Sequence, residues 1–469
     1  MAHEISSYHF SSNMFNSIQE VVRSSKTLLR LSQLDSFITE SADGEIGLRI
    51  DNIQLLRGIW EKAKEELKTS YERAFNTVKA EVSSFTFSFP ARYLEDFAKI
   101  EDGVQLEKFL DRNLNDLTSL QRVPVRKSHR GNKGPTLLVH YPRYKKDTNN
   151  RIQYVIKWTH WNEILCTRVY GMLFSLLKNI ALEEGYYEIR VPKTVGLDFT
   201  TCVFENRDGQ SSGFSKEESE ALMKNYFKIS TLYTSKEIDA SQQIMLSDTV
   251  RGENLFDFIK SKYQYLSLEQ KQNFYRSLAV IGMTDLIIGN LDRLTQVNFS
   301  LAEKTYQLEV LESNFGNVMI SWVQNSNENP ILYAIDNGID DDVIAREEHR
   351  EKYLVFLRGL LNTPEFEKII AENMVESFQG TLRSQIDDEE GNVSELKKDL
   401  EIFTQDLKQI AFDNFAEGIT WINTVLHTRL IPLFEAEYLS SIKTHPVPLF
   451  NDLHTALNER LAAFKESRS

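Results

Sequence analysis

Residues 136–158, TLLVHYPRYKKDTNNRIQYVIKW, decide how the chain reads. Two β-rich runs, Thr136–Tyr141 and Ile152–Trp158, flank the turn-like KKDTNN, and together they predict a hairpin. A helical stretch follows at Trp161–Leu182, then a strand-like segment at Ile189–Pro192. Further strand-like segments are Thr200–Phe204, Gln243–Leu246, Gln307–Leu311, Val318–Ile320 and Leu332–Ile335. Helical patterns cover Asn254–Lys262 and Leu268–Ile288. Strands come first and helices later, the order of a small β-rich lobe followed by a larger helical one. The expected class is α+β.

Outward from this core the sequence turns helical on both sides. In residues 1–120, Leu28, Leu29, Leu31 and Leu34, then Ile53, Leu55, Leu56, Ile59 and Trp60, recur at helical spacing. Trp60–Val82 adds an amphipathic pattern of Glu and Lys. After residue 346 the candidates are Tyr353–Leu361, Glu365–Ser377, Val393–Phe412 and Ile422–Tyr438, with an acidic loop at Asp387–Gly391. The expected division is a helical region at 1–120, a first lobe at 121–250, a second at 251–360 and a helical region at 361–469.

A chain of 469 residues exceeds one ordinary core. Its 41% hydrophobic and 26% charged residues are those of a soluble globular protein. A net charge of −14 argues against a nucleic-acid partner. Locally the sign reverses: Arg122–Lys157 holds ten Lys or Arg and one acid, Asp147. Cys166 and Cys202 are too few for a disulfide scaffold, which points to a reducing compartment. No secretory signal and no 18-residue apolar stretch is read, so a cytoplasmic protein without a transmembrane segment is expected. The Ser-rich start fits a frayed terminus. It also fits the export tag of a secreted bacterial effector, whose location would be the host cytosol and whose flanking helices would meet a host protein.

Five short segments carry chemistry. Lys157 ends an apolar strand, where a cation needs an anion such as the phosphates of ATP. SHRGNKG, residues 128–134, brings Gly131 and Gly134 among basic neighbours, so that backbone N–H groups can approach phosphate. In GNLDR, residues 289–293, Asp292 and Arg293 close an apolar helix and open a polar loop, a place for a general base. In ESNFGNVMI, residues 312–320, Asn317 offers an amide oxygen to Mg²⁺. In LYAIDNG, residues 332–338, Asp336 follows an apolar strand, where a metal-binding carboxylate can sit. Each also has an ordinary counterpart in a snorkelling lysine, a surface turn or a turn-capping acid. Their order is that of a phosphoryl-transfer site.

The run VIKW…NE, then IGNLDRL, NFGNVM and AIDNGI, resembles the catalytic domain of the actin-fragmin kinase family over roughly residues 120–360. That family belongs to the atypical protein-kinase-like fold, with the phosphoinositide and HipA-type kinases, and uses an N-x-D-R loop. The resemblance implies a bilobal kinase-like fold with ATP and Mg²⁺ as cofactors. By it, Lys157 binds the phosphates and pairs with Glu163, Asp292 serves the acceptor hydroxyl, and Asn317 and Asp336 hold Mg²⁺. Gln243–Val250, with Met245 and Asp248, becomes the strand meeting the adenine. Glu183 and Glu184 compete with Glu163 for the ion pair, and Asn298 competes with Asn317.

The expected activity is transfer of the γ-phosphate of Mg·ATP to Ser/Thr hydroxyls of a protein. Alternatives on the same fold are a phosphoinositide or inositol phosphate kinase, which the basic stretch suits, a scaffold that has lost catalysis, and AMP transfer.

Overall fold

The computed structural model describes residues 38–40, 46–48, 82–90, 93–113, 120–131, 134–142, 151–197, 202–206, 242–250, 252–291, 293–300, 304–308, 313–323, 329–339, 347–387, 393–436 and 448–467. The architecture is mixed α+β. Strands β1 (Ile38–Glu40) and β2 (Ile46–Leu48) form an antiparallel pair. They are followed by β3 (Val82–Pro90), β4 (Leu120–Gly131), β5 (Gly134–Pro142), β6 (Arg151–His160), β7 (Glu188–Arg190), β8 (Thr194–Leu197), β9 (Cys202–Asn206) and β10 (Gln242–Asp248). A seven-stranded sheet runs in the order β8-β10-β6-β5-β4-β3-β9. The hairpin read from residues 136–158 is present, with Thr136 opposite Lys157 and Tyr141 opposite Ile152.

Strand β3 corrects the reading of residues 1–120 as helical. Its sequence, VSSFTFSFP, alternates Phe85, Phe87 and Phe89 with Thr86 and Ser88, the period of a strand. The helical stretches proposed before it, up to residue 81, lie outside the described residues. Helices α1 (Tyr93–Ala98) and α2 (Gly103–Asn113) complete this part of the chain.

The described residues divide into two compact units. One comprises Met1–Leu94, Asp116–Trp158 and Leu197–Leu246, and the other Glu95–Asn115, Thr159–Gly196 and Ser247–Ser469. The second holds α3 (Trp161–Glu183), α4 (Leu255–Ser261) and α5 (Leu268–Ile288). It also holds the short strand β11 (Glu253–Asn254) and the hairpin of β12 (Val297–Ser300) with β13 (Thr305–Leu308). Strands β14 (Val318–Ser321) and β15 (Ile331–Ala334) join β11 and β7 in a four-stranded sheet ordered β11-β14-β15-β7.

The C-terminal helices are α6 (Glu347–Leu361), α7 (Phe366–Asp387), α8 (Val393–Asp399), α9 (Glu401–Gln409), α10 (Ala411–Val425) and α11 (Pro448–Glu466). A π-helical turn, Leu426–Leu430, carries α10 on into Ile431–Phe434. The stretch Val393–Phe412, read as one helix, is thus divided at Leu400 and Ile410. These helices do not stand apart: residues from α3, α5, the β14–β15 hairpin and α6 to α11 share one apolar core.

Helix α5 organises that core and begins and ends as its sequence dictates. Ser267 Oγ accepts from Gln270 N at 3.2 Å while Gln270 Oε1 accepts from Ser267 N at 3.0 Å, a capping box. Gly289, at φ 95°, closes the helix in the left-handed conformation. A Cβ there would also lie 2.8 Å from Arg460 Nη1. The last carbonyls of α5 need external donors. Arg460 of α11 donates to Ile288 O, and Tyr353 Oη of α6 donates to Leu286 O at 2.5 Å.

Helix α3 qualifies the statement that no apolar stretch could cross a membrane. Its window Glu163–Glu183 is long enough and has a mean hydropathy of 1.2. Of that window 61% is buried inside the protein, as expected of a core helix.

Candidate functional site

The β14–β15 hairpin places two of the proposed magnesium ligands. Val318 lies opposite Ala334, so the chain entering β14 runs beside the chain leaving β15. Asn317 ends the short 3-10 turn Phe315–Asn317 on one side; Ile335 and Asp336 follow on the other. Ile335 N donates to Asn317 O at 3.0 Å and locks the two segments together. Asn317 and Asp336, far apart in sequence, therefore sit at the same end of one hairpin. Asn298 is instead an exposed residue of β12, opposite Gln307.

Asp336 adopts φ 54°, a left-handed conformation rare for a side-chain-bearing residue and tolerated best by Asn and Asp. Such conformations persist where the surroundings enforce them, and they gather at working sites. An amide oxygen and a carboxylate are hard donors of the kind Mg²⁺ takes. Among the described residues no group of three or more His, Cys, Asp and Glu could hold a metal. Two donors still fit Mg²⁺, which uses one or two protein oxygens together with substrate phosphates.

Behind Asp336 lies a buried polar network. Arg293, named with Asp292 among the candidate catalytic residues, has no exposed surface. Its Nη1 donates to Asp285 Oδ1 at 3.1 Å and its Nη2 to Asn337 Oδ1 at 2.5 Å. Tyr170 Oη donates to the same Asp285 oxygen at 2.5 Å, and its ring lies 5.2 Å from the guanidinium carbon. Burial, then the Asp285 carboxylate, pushes the Tyr170 phenol up, so it stays a donor. Asn337 Nδ2 donates to Thr167 Oγ1 at 3.3 Å and to Ala334 O at 3.2 Å, and Thr167 Oγ1 donates to Glu163 O at 2.7 Å. The guanidinium is thus engaged inside the fold. Asp292, its neighbour, lies outside the described residues. Asn290, two residues earlier, is fully buried, with neither side-chain polar atom hydrogen-bonded among the described residues.

The candidate glutamates separate cleanly. Glu163 opens α3 and is 5% exposed, and its Cβ lies 4.0 Å from where a Cβ on Gly338 would sit. Thr159 Oγ1 donates to its Oε2. Glu183 and Glu184 lie at the far end of α3, about 30 Å away at 1.5 Å per residue. Glu184 accepts there from Trp421 Nε1 at 2.5 Å. Glu163, and not these two, stands beside the Asp336-Asn337-Gly338 turn.

In the first unit, Lys157 lies on β6 between the buried Ile156 and Thr159 and is itself half-buried. Gly131 and Gly134 face each other at the end of the β4–β5 hairpin, leaving a two-residue turn outside the described residues. The glycine segment therefore lies ahead of the β5–β6 hairpin, as read, and closes the β4–β5 hairpin. Along β10, Met245 is buried at 6% exposure.

Asp248, expected at the adenine, is joined to the start of β8 within the second unit. Its N–H donates to Lys193 O at 3.1 Å, and its Oδ2 lies 3.6 Å from Lys193 Nζ. Lys193 also donates to Phe97 O at 3.0 Å, in the last turn of α1, and to Ile100 O at 2.9 Å, just beyond it. Burial pushes the Asp248 carboxyl up to about 6, with Lys193 pulling the other way. Burial likewise lowers the Lys193 ammonium. No sequence signal announced this pair.

Compared with known proteins, the chain matches no protein-family model and no curated protein.

Arg293→Met leaves Asp285 as a buried carboxylate without its cation, and urea unfolding should show a loss of about 3–5 kcal/mol. Adding Asp285→Asn should restore part of it, whereas a loss under about 1 kcal/mol would place the pair at the surface. Asp248 binds its proton more tightly when folded, so its contribution to stability falls as pH rises from 3.8 to about 6. Across that window the melting temperature of Asp248→Asn should gain on wild type, then run parallel above it. Parallel curves throughout would contradict the raised carboxyl.

Proposed function

We propose that the chain is an ATP- and Mg²⁺-dependent phosphotransferase of kinase-like fold that phosphorylates Ser/Thr hydroxyls of a protein. The observation that carries this reading is the β14–β15 hairpin, which brings Asn317 and a left-handed Asp336 to one end. Three further features support it. A glycine-closed hairpin precedes a strand lysine, Lys157, in one antiparallel run, and the helix opening with Glu163 follows directly. That is the order in which kinases use a phosphate-covering loop, a phosphate-binding lysine and its glutamate partner. Glu163 also lies beside Gly338, next to the metal-side carboxylate.

In this reading Lys157 engages the phosphates and Glu163 neutralises it. Asn317 and Asp336 would hold Mg²⁺, which when bound offsets charge on the phosphoryl oxygens. Asp292 accepts the proton of the attacking hydroxyl or orients it. Arg293 holds the chain next to Asp292 against Asn337, and so ties the acceptor-side loop to the metal-side turn. The proposed location is cytoplasmic. Transfer to an anionic headgroup is the second reading, because six of the ten basic residues of Arg122–Lys157 fall on β4 and β6 and none on β5.

Incubation with γ-labelled ATP, Mg²⁺ and protein or inositol-lipid acceptors separates these readings. Wild type should transfer label to protein, and Asp336→Ala should lose at least about 100-fold, the scale on which electrostatic stabilisers act. Equal labelling by both proteins would contradict phosphotransfer at this site. Label arriving from the α-phosphate would mean AMP transfer.

A further inference from the structure

The second unit contains a cavity of about 520 Å³ that the phosphoryl-transfer residues do not account for. Its walls include Phe256 of α4, Gln296, the turn residues Asn314 and Gly316, and Thr381 and Gln385 of α7. Gly316 immediately precedes Asn317. The opposite edge is bonded to the loop that carries the acceptor-side residue: Asn314 N donates to Arg293 O at 2.7 Å, and Ser313 Oγ donates to Leu294 O at 3.1 Å. Gln296 lies four residues beyond Asp292 on that same loop. Thr381 Oγ1 donates to Ser313 O at 3.0 Å, which fixes α7 against the turn. The cavity is therefore built from the two segments that bear Asp292 and Asn317, and α7 closes it.

We propose that this cavity is the acceptor subsite, and that it takes an uncharged polar side chain of a polypeptide close to the Ser or Thr that is phosphorylated. The proposal rests on the phosphotransfer reading above and names the substrate chemistry of that site. Asn314 and Gln385 are both exposed, and each primary amide offers two donors and an acceptor, the complement of Asn, Gln, Ser or Thr. Phe256 adds an apolar wall. Among the described residues none of the lining side chains is charged. A phosphorylated headgroup entering here would lose water without gaining charge-assisted bonds. The ten basic residues of Arg122–Lys157 belong to the first unit, not to this cavity. The volume is in the range of binding clefts, roughly 300–1,000 Å³, enough for one or two side chains. Helix α7 thereby gains a role: it is the specificity wall of the kinase-like core.

The test uses the full chain, Mg·ATP and a Ser/Thr peptide library with each flanking position fixed in turn. Wild type should prefer Asn, Gln, Ser or Thr over Asp, Glu, Lys and Arg at one flanking position. Gln385→Lys should shift that position toward Asp and Glu. Gln385→Trp, a filling change at an exposed position, should raise the peptide KM about tenfold, as loss of a hydrogen bond to a buried polar partner does. Its acceptor-free ATP hydrolysis and its melting temperature should match wild type. The proposal is overturned by a flat or charge-selecting profile, by an unchanged KM in Gln385→Trp, or by phosphate going only to inositol-lipid vesicles while ATP is consumed. Absence of any Mg·ATP hydrolysis in wild type would instead overturn the phosphotransfer reading, and this proposal with it.

Discussion

A guanidinium without accessible surface must be neutralised where it sits, and the arrangement around Arg293 follows from that requirement. Asp285 supplies the charge, and Tyr170 and Asn337 complete the bonding. Because those partners come from α3, α5 and the turn after β15, one buried cation fixes the mutual placement of three elements. Removing water strengthens each bond and makes any missing partner costly. Arg293 and Asp336 are thus coupled through Asn337, the residue between Asp336 and Gly338. The network anchors Asn337, the residue that follows the left-handed Asp336.

The second organising constraint is the end of α5. A helix buried on nearly all sides cannot leave its last carbonyls to water. Gly289 turns the chain, while Tyr353 and Arg460 from the C-terminal helices supply the donors. The C-terminal region is accordingly part of the same core as the proposed catalytic loop. Through Thr381 and Gln385, α7 lines the cavity beside the turn that leads into Asn317.

Much of this was legible in the sequence, for identifiable reasons. The hairpin at 136–158 declares itself by β-rich runs and a polar turn, and α5 by the helical pattern of Leu268–Ile288, the bounds the structure gives it. The glycines, Asn317 and Asp336 were readable because they sit at element boundaries, where polar residues interrupt apolar ones; Lys157, read at a strand end, lies within β6, which runs on to His160. The role of Arg293 was not, because its partner Asp285 reads as one acid in the apolar run LAVIGMTDLII and its other partners are remote. That lone acid was the available signal, since a buried carboxylate demands a cation. Strand β3 was missed although its alternating Phe85, Phe87 and Phe89 carry a period of two. Leu400 and Ile410 divide the C-terminal helices without Gly or Pro to mark the breaks, and Leu400 is buried, so packing overrides local preference there. The Lys193–Asp248 pair joins residues that no spacing rule connects.

In the proposed function, Asn317 and Asp336 act together on a metal-bound nucleotide. Calorimetric titration of an ATP analogue with a non-hydrolysable β–γ bridge, with and without Mg²⁺, measures that most directly. Wild type should bind it at least tenfold more tightly with Mg²⁺ present, and Asn317→Ala and Asp336→Ala should each lose most of that metal dependence, about 1.4 kcal/mol or more. Binding that is equally tight with and without Mg²⁺, or unchanged in both variants, would contradict the account.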